Sequence, residues 1–210
     1  MNDAPVAYSL RTPRLVLRCL GPEDVLARKA AIDESGEHLR AFSFTALSLE
    51  QHLAAVRRAR SQFDSDGDRI YGAFERLDTG AEGPLVGEGA LLRRAGLGAL
   101  ELGYWVRQDK TSRGYGTELA AALVWCAFRI DRVVRVDLLC APDNAPSAAI
   151  ARRLGFTFEG TLRSRQLMPH HDRGDLSAFS LLDRELEGTA AARANVEAYD
   201  FLGRPLAPLR

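Results

Sequence analysis

Apolar and charged residues alternate through residues 14–19, RLVLRC, and a period of two marks a half-buried strand. Gly21-Pro22 breaks that strand, and a helical segment is predicted to run on to about Ile32. Ser48 precedes a second helix, with Gln51 three residues on as a capping-box match and Leu49, Leu53, Val56 and Phe63 at helical spacing. The acidic run DSDGD (64–68) has no bidentate Glu at calcium-loop distance and reads as a solvated turn. Strand-like stretches follow at 70–75, 85–93 and 100–107, separated by Gly-rich turns, and predict an antiparallel meander. A helix is predicted from about Gly114 to Arg129, with Leu119, Leu123, Cys126 and Ile130 on one face. A β-branched run at 133–140 predicts a central strand, and a helix follows from about Ala145 to Leu154, stopped by Gly155. Strands at 156–159 and 176–182 close the pattern.

The order is β-α-α-β-β-β-α-β-α-β-β. The strand-helix-strand unit between about residues 100 and 140 requires one parallel pair inside an otherwise antiparallel sheet. The fold class is therefore α/β in the α+β sense: a single domain over 1–185 with a mixed, mostly antiparallel sheet flanked by helices. Residues 186–210 differ in character. Their VEAYDFLGRPLAP run (196–208) is expected to add a strand to the sheet edge or to a partner, or to stay a disordered extension.

Composition narrows the function classes. A chain of 210 residues can bury about 70% of its unfolded surface and needs no disulfide or metal staple. Twenty-eight basic residues cancel 28 acidic ones, which argues against a bulk nucleic-acid binder. No apolar run reaches membrane-spanning length, and the N-terminal stretch lacks the apolar core of a signal peptide. Cys19, Cys126 and Cys140 each sit in an apolar run, as buried free thiols do, so a reducing cytoplasm is expected.

The chemistry concentrates in two segments. The first, from Leu100, reads LELGYWVRQDKTSRGYGTEL: a strand, a polar loop, then glycines opening a helix. Backbone N–H groups at such a start point at an anion, and the helix dipole adds to the attraction. The nucleotide-binding patterns G-x-x-x-x-G-K-[ST] and G-x-G-x-x-G both fail here, the first for want of a Lys and the second because Leu119 stands at its last glycine. A pyrophosphate turn of another type remains. The second segment, residues 136–156, reads VDLLCAPDNAPSAAIARRLGF, in which Asn144 and Pro146 also suit a helix start.

Together these segments resemble the GNAT N-acetyltransferase superfamily, most closely its RimJ/RimL-like branch. TPRLVLR (12–18), VGEGAL (86–91) and ELGYWV (101–106) extend the resemblance across about residues 12–184. The resemblance implies transfer of an acetyl group from acetyl-CoA to an amine by direct attack, in a sheet whose parallel strands splay to admit the pantetheine arm. It assigns the pyrophosphate to Arg113, Gly114, Tyr115, Gly116 and Thr117, with Thr111 where the family carries Gln or Arg. It pairs Val106 and Arg107 through their backbones with pantetheine, and places Asn144 beside the arm. Ala151 stands where many members carry a Tyr acid, so Ser147 becomes the donor to the departing sulfur. Glu101 is the expected amine-side carboxylate, and Tyr104 and Trp105 are expected to pack. In the loop MPHHDRGD, His170, Asp172 and Arg173 are expected to border the acceptor cleft; the adjacent histidines have no third metal ligand at suitable spacing.

The acceptor follows only by class: a small-molecule amine or a protein N-terminal amine, with no nucleic acid, no membrane and a homodimer left open. An acyl-CoA-binding sensor with the same fold and little turnover is the alternative, resting on Ala151 and Thr111.

Overall fold

The structure, a computed structural model, describes residues 5–36, 38–39, 47–65, 67–167 and 173–208. The chain runs β1 (Ser9–Arg11), β2 (Leu15–Cys19), α1 (Val25–Glu34), α2 (Leu49–Asp64), β3 (Arg69–Arg76), β4 (Glu82–Leu92) and β5 (Ala99–Val106). It continues with α3 (Tyr115–Arg129), β6 (Arg135–Cys140), α4 (Ala145–Arg153), β7 (Thr157–Leu167), β8 (Arg173–Leu182) and β9 (Glu197–Tyr199). Short 3-10 turns precede α1 and follow β5 and β8.

Local chemistry explains the elements. Ser48 and Gln51 cap α2 reciprocally: the Gln51 N–H donates to Ser48 Oγ (3.3 Å) and the Ser48 N–H to Gln51 Oε1 (2.7 Å). Gly155 ends α4 at φ 91°, a left-handed backbone that glycine adopts without strain. The predicted helices and meander are present, and the two last strands are longer than their apolar stretches suggested.

The strands form one sheet in the order β7-β8-β6-β5-β4-β3-β2-β1-β9. Every adjacent pair is antiparallel except β5–β6. That parallel ladder runs from Ala99↔Arg135 to Leu102↔Leu138 and stops. The last four residues of β5 diverge from β6, giving the splayed pair. One strand, β1, was not read from the pattern; β9 lies in the 196–208 run that was expected either to add an edge strand or to stay disordered, and it pairs with β1 edge to edge (Leu10↔Ala198).

The larger core lies between the sheet and α3, which is buried along its whole length from Leu119 to Phe128. A smaller core (Leu20, Val25, Ile32, Val56, Phe74, Leu85, Trp105) joins α1 and α2 to the opposite face. Inside it runs a buried polar chain. Arg28 donates from Nε to Glu88 Oε1 (2.5 Å) and meets His52 Nδ1 through Nη1 (2.5 Å); the Trp105 indole N–H donates to Glu88 Oε2 (3.1 Å).

A guanidinium can only donate, so His52 Nδ1 accepts and the ring is neutral, with its proton on Nε2. Burial and the Arg28 cation push His52 below its ordinary 6.5. The unfolded chain therefore takes up a proton near pH 6.5 that the folded chain refuses. The stability this contributes is present above pH 6.5 and is lost as the pH falls toward the depressed folded value. In urea titrations between about pH 7.5 and about pH 5, His52→Gln should show a shallower loss of stability on acidification than the parent. Equal slopes would remove His52 from the pH dependence.

Candidate functional site

Where β5 and β6 part, a cleft of about 640 Å³ opens through the sheet. One wall is the end of β5 (Tyr104, Trp105, Val106), another the loop and first turn of α3 (Thr111, Ser112, Gly114, Gly116, Thr117), and the third the start of α4 (Asn144, Ser147, Ile150).

Hydrogen-bond parity assigns the backbone. The Arg107 N–H donates to the Val86 carbonyl (2.8 Å), so in the antiparallel β4–β5 ladder residues 107, 105 and 103 turn their amides toward β4. Tyr104 and Val106 turn theirs the other way, into the gap left by β6. Val106 thus turns its amide into the gap, where an extended amide-bearing chain would fit. Arg107 does not. Its N–H is taken by Val86, its carbonyl accepts from the Lys110 N–H (3.0 Å), and its guanidinium binds Asp109 and Glu34.

The start of α3 carries an anion cradle. Gly114 is the cap residue in a left-handed conformation (φ 83°), and no side chain caps the helix; Ser48 and Asn144 do cap α2 and α4. The first helical bond is Glu118 N–H to the Gly114 carbonyl (3.1 Å). The amides of Tyr115, Gly116 and Thr117 therefore have no intrahelical acceptor, and the dipole makes that end positive. Gly116 allows close approach, since a Cβ there would lie 3.2 Å from Ile150 Cδ1. Arg113 supports the turn through its carbonyl, which accepts from Arg14 Nη1 (2.9 Å), and the Tyr115 hydroxyl anchors it to Glu75 (2.7 Å).

Asn144 has a structural task as well as a place in the cleft: its Oδ1 accepts from the Ser147 N–H (3.1 Å) as the cap of α4. Ser147 Oγ lies 3.1 Å from the Tyr104 hydroxyl, so the pair spans the gap from β5 to α4. Burial pushes the Tyr104 phenol up to about 12, keeping it protonated. Tyr104 was expected to pack rather than to serve the chemistry. Its place on the same strand face as Val106 was the available signal that it faces the cleft.

Glu101 is not brought to the cleft. It sits in the still-paired part of the ladder, opposite Asp137, buried and bound by Arg94 through two hydrogen bonds, the Nε one 2.8 Å long. Both of its carboxylate oxygens are already taken by that guanidinium. The described lining of the cleft holds no carboxylate, and its one imidazole is His38, after α1. His170 and Asp172 lie outside the described residues, and Arg173 opens β8.

Comparison with known proteins agrees with this geometry. The family model for the acetyltransferase (GNAT) domain matches residues 14–157. The candidate ribosomal N-acetyltransferase YdaF of Bacillus subtilis is 27% identical over 183 residues, covering 83% of this chain and 94% of its own. Two solved structures share the fold. RimJ of Mycobacterium smegmatis, in complex with CoA-disulfide, has a TM-score of 0.73 at 22% identity, covering 89% of this chain and 91% of its own. RimL, a ribosomal L7/L12 α-N-protein acetyltransferase in complex with coenzyme A, has a TM-score of 0.72 at 20% identity, covering 85% of this chain and 97% of its own.

Proposed function

The chain belongs to the acetyltransferase (GNAT) family and is an N-acetyltransferase, and we propose that it acetylates the N-terminal amine of a protein, a ribosomal protein first among candidates, from acetyl-CoA. The observation that carries this reading is the alignment of an uncapped helix start with a splayed strand pair, joined in one cleft. The residues suit the donor. Amides at 115–117 would hold the pyrophosphate, Gly116 would let it approach, and the free backbone groups of Tyr104 and Val106 would pair with the pantetheine amides. The acceptor class rests on the likeness to YdaF and RimL, described as a ribosomal N-acetyltransferase and a ribosomal L7/L12 α-N-protein acetyltransferase.

The amine nitrogen forms a bond to the thioester carbonyl carbon, the carbon–sulfur bond breaks, and the amine loses a proton as the thiolate gains one. The Tyr104–Ser147 hydroxyl pair would donate to sulfur as negative charge develops there. A phenol held near 12 delivers a hydrogen bond at every working pH. His38 is the imidazole of the described lining and would accept the amine proton. Trp105, pinned by Glu88, would wall the acceptor side. We place this activity in the cytoplasm, where ribosomal acceptors reside.

The test is a panel of peptides copying ribosomal-protein N-termini beside polyamines and free amino acids, read as thiol release and as an acetyl mass gain on the first residue. Acetylation confined to small amines would overturn the acceptor assignment. On the best peptide, Ser147→Ala and Tyr104→Phe should each lower kcat by about tenfold or more and leave the acetyl-CoA KM within about twofold, because the contact strengthens only in the transition state. Unchanged kcat in both variants would leave the hydroxyl pair as a gap-spanning structural bond.

A further inference from the structure

The amides at 115–117 converge on an anion only while the turn that carries them keeps its shape. That turn lacks the local restraint that Ser48 gives α2 and Asn144 gives α4: no side chain caps α3, and its cap residue is a glycine at φ 83°. Glycine adopts this backbone without strain and adopts others as readily, so the restraint has to come from elsewhere.

It comes from Arg14, 99 positions before Arg113 and 104 before Glu118. Its Nη1 donates to the Arg113 carbonyl (2.9 Å), its Nε to Glu118 Oε2 (2.6 Å) and its backbone N–H to Glu118 Oε1 (2.9 Å). The guanidinium lies over the Tyr115 ring, 4.9 Å from its centre. Nη2 stands 3.2 Å from the position a Cβ on Gly114 would take. One residue therefore meets positions 113, 114, 115 and 118, on both sides of the three amides. A planar guanidinium can serve a carbonyl, a carboxylate and a ring face together, which a lysine ammonium cannot.

Arg14 is itself fixed to the sheet. A tight turn closes around it, with the Thr12 N–H donating to the Leu15 carbonyl (2.9 Å) and the Leu15 N–H to Thr12 Oγ1 (2.9 Å). Arg76, the last residue of β3, donates from its N–H to the Arg14 carbonyl (2.8 Å) and from Nη1 to the Thr12 carbonyl (3.0 Å). The Thr12 hydroxyl adds a bond to Glu118 Oε1 (2.6 Å). The described lining of the cleft includes Gly114, Gly116 and Thr117 and does not include Arg14.

We propose that Arg14 is a positioning residue for the acetyl-CoA site, holding the turn at 113–118 so that the amides of Tyr115, Gly116 and Thr117 converge before the pyrophosphate arrives. The proposal rests on acetyl-CoA being the donor. An anion that must first order a loose turn binds more weakly than one that meets donors already in place. Glu118 is the handle by which Arg14 grips α3, although on charge alone its carboxylate opposes an anion at that helix end.

The experiment is calorimetric binding of acetyl-CoA to the parent, Arg14→Gln, Arg14→Lys and Glu118→Ala, each with a thermal melt, together with steady-state kinetics on the best peptide. Arg14→Gln should raise the Kd and KM for acetyl-CoA by about tenfold and leave kcat and the peptide KM within about twofold. Arg14→Lys keeps the charge without the fork and should still bind about fivefold more weakly than the parent. Glu118→Ala removes a negative charge beside the site, so electrostatics alone would tighten binding; loss of the grip should instead weaken it by about threefold. Parental affinity in Arg14→Gln, or a loss shared equally by kcat and the peptide KM, would overturn the proposal. Full recovery in Arg14→Lys would show direct attraction of the phosphates by charge, and tighter binding by Glu118→Ala would show that the grip does nothing; either result overturns it too. These two variants decide the question if Arg14→Gln does not fold. Failure of the parent to bind acetyl-CoA would overturn the donor reading and this proposal with it.

Discussion

Gly116→Glu should weaken acetyl-CoA binding by about 100-fold and leave the protein folded. The uncapped amides at 115–117 are the strongest anion-binding feature of the described cleft, because they combine unsatisfied donors with the positive end of α3. A new carboxylate at position 116 competes for the same donors and repels pyrophosphate. Losing about two charge-assisted hydrogen bonds, at about 1.5 kcal/mol each, corresponds to roughly 100-fold in Kd. The same carboxylate suits a helix N-terminus, so helix formation is not the casualty. The added bulk meets Ile150, whose Cδ1 stands 3.2 Å from the position a Cβ would take. Gly114→Glu is the less clean variant, since φ 83° imposes about 1–3 kcal/mol of strain on any other residue. Calorimetry against a thermal melt separates the effects. A folded Gly116→Glu variant with parental affinity would take the turn out of coenzyme binding.

Asp131→Ala should cost about 3–5 kcal/mol of stability. Arg69 at the start of β3 is 1% exposed, and its Nη atoms are both engaged by the carboxylate of Asp131, just past the end of α3. The pair ties the helix that forms the anion site to the middle of the sheet. Its Nε already has no hydrogen-bond partner. Removing Asp131 would leave a guanidinium buried beside Tyr71 and Cys126 with its countercharge gone. For a chain of this size the loss corresponds to a fall of about 10 °C in Tm. The double variant Arg69→Met/Asp131→Leu should recover most of it, because the cost lies in the orphaned charge and not in the lost attraction. A single variant within about 1 kcal/mol of the parent in urea denaturation would contradict this account.

The corrections share one cause. Glu101 looked available because a strand carboxylate in a one-dimensional pattern shows no partner. Arg94, seven positions away around a turn, meets it only once the β4–β5 hairpin closes. The Arg107 backbone looked available because the parity of a ladder depends on register, and register is not legible before the strands pair. Tyr104 and Ser147 stand 43 positions apart, and their meeting depends on β6 diverging from β5 after Leu102. The chain Trp105–Glu88–Arg28–His52 joins four elements and leaves no mark in any local window.

What the amino-acid order determined by itself was everything set by near neighbours. It determined the periodic strands and helices, the Ser48–Gln51 cap, the glycine stop at 155, the one parallel connection and the glycine-opened helix that draws an anion. Those features follow from backbone geometry and from side chains within about four positions of one another. Tertiary structure decided which carboxylates are already neutralised, which amides face the gap and which hydroxyls meet across it. It also decided that the C-terminal segment folds back onto β1 rather than trailing free. Each of those outcomes is a long-range pairing in which the partners compete for the same donors and acceptors, and only the closed sheet settles the competition.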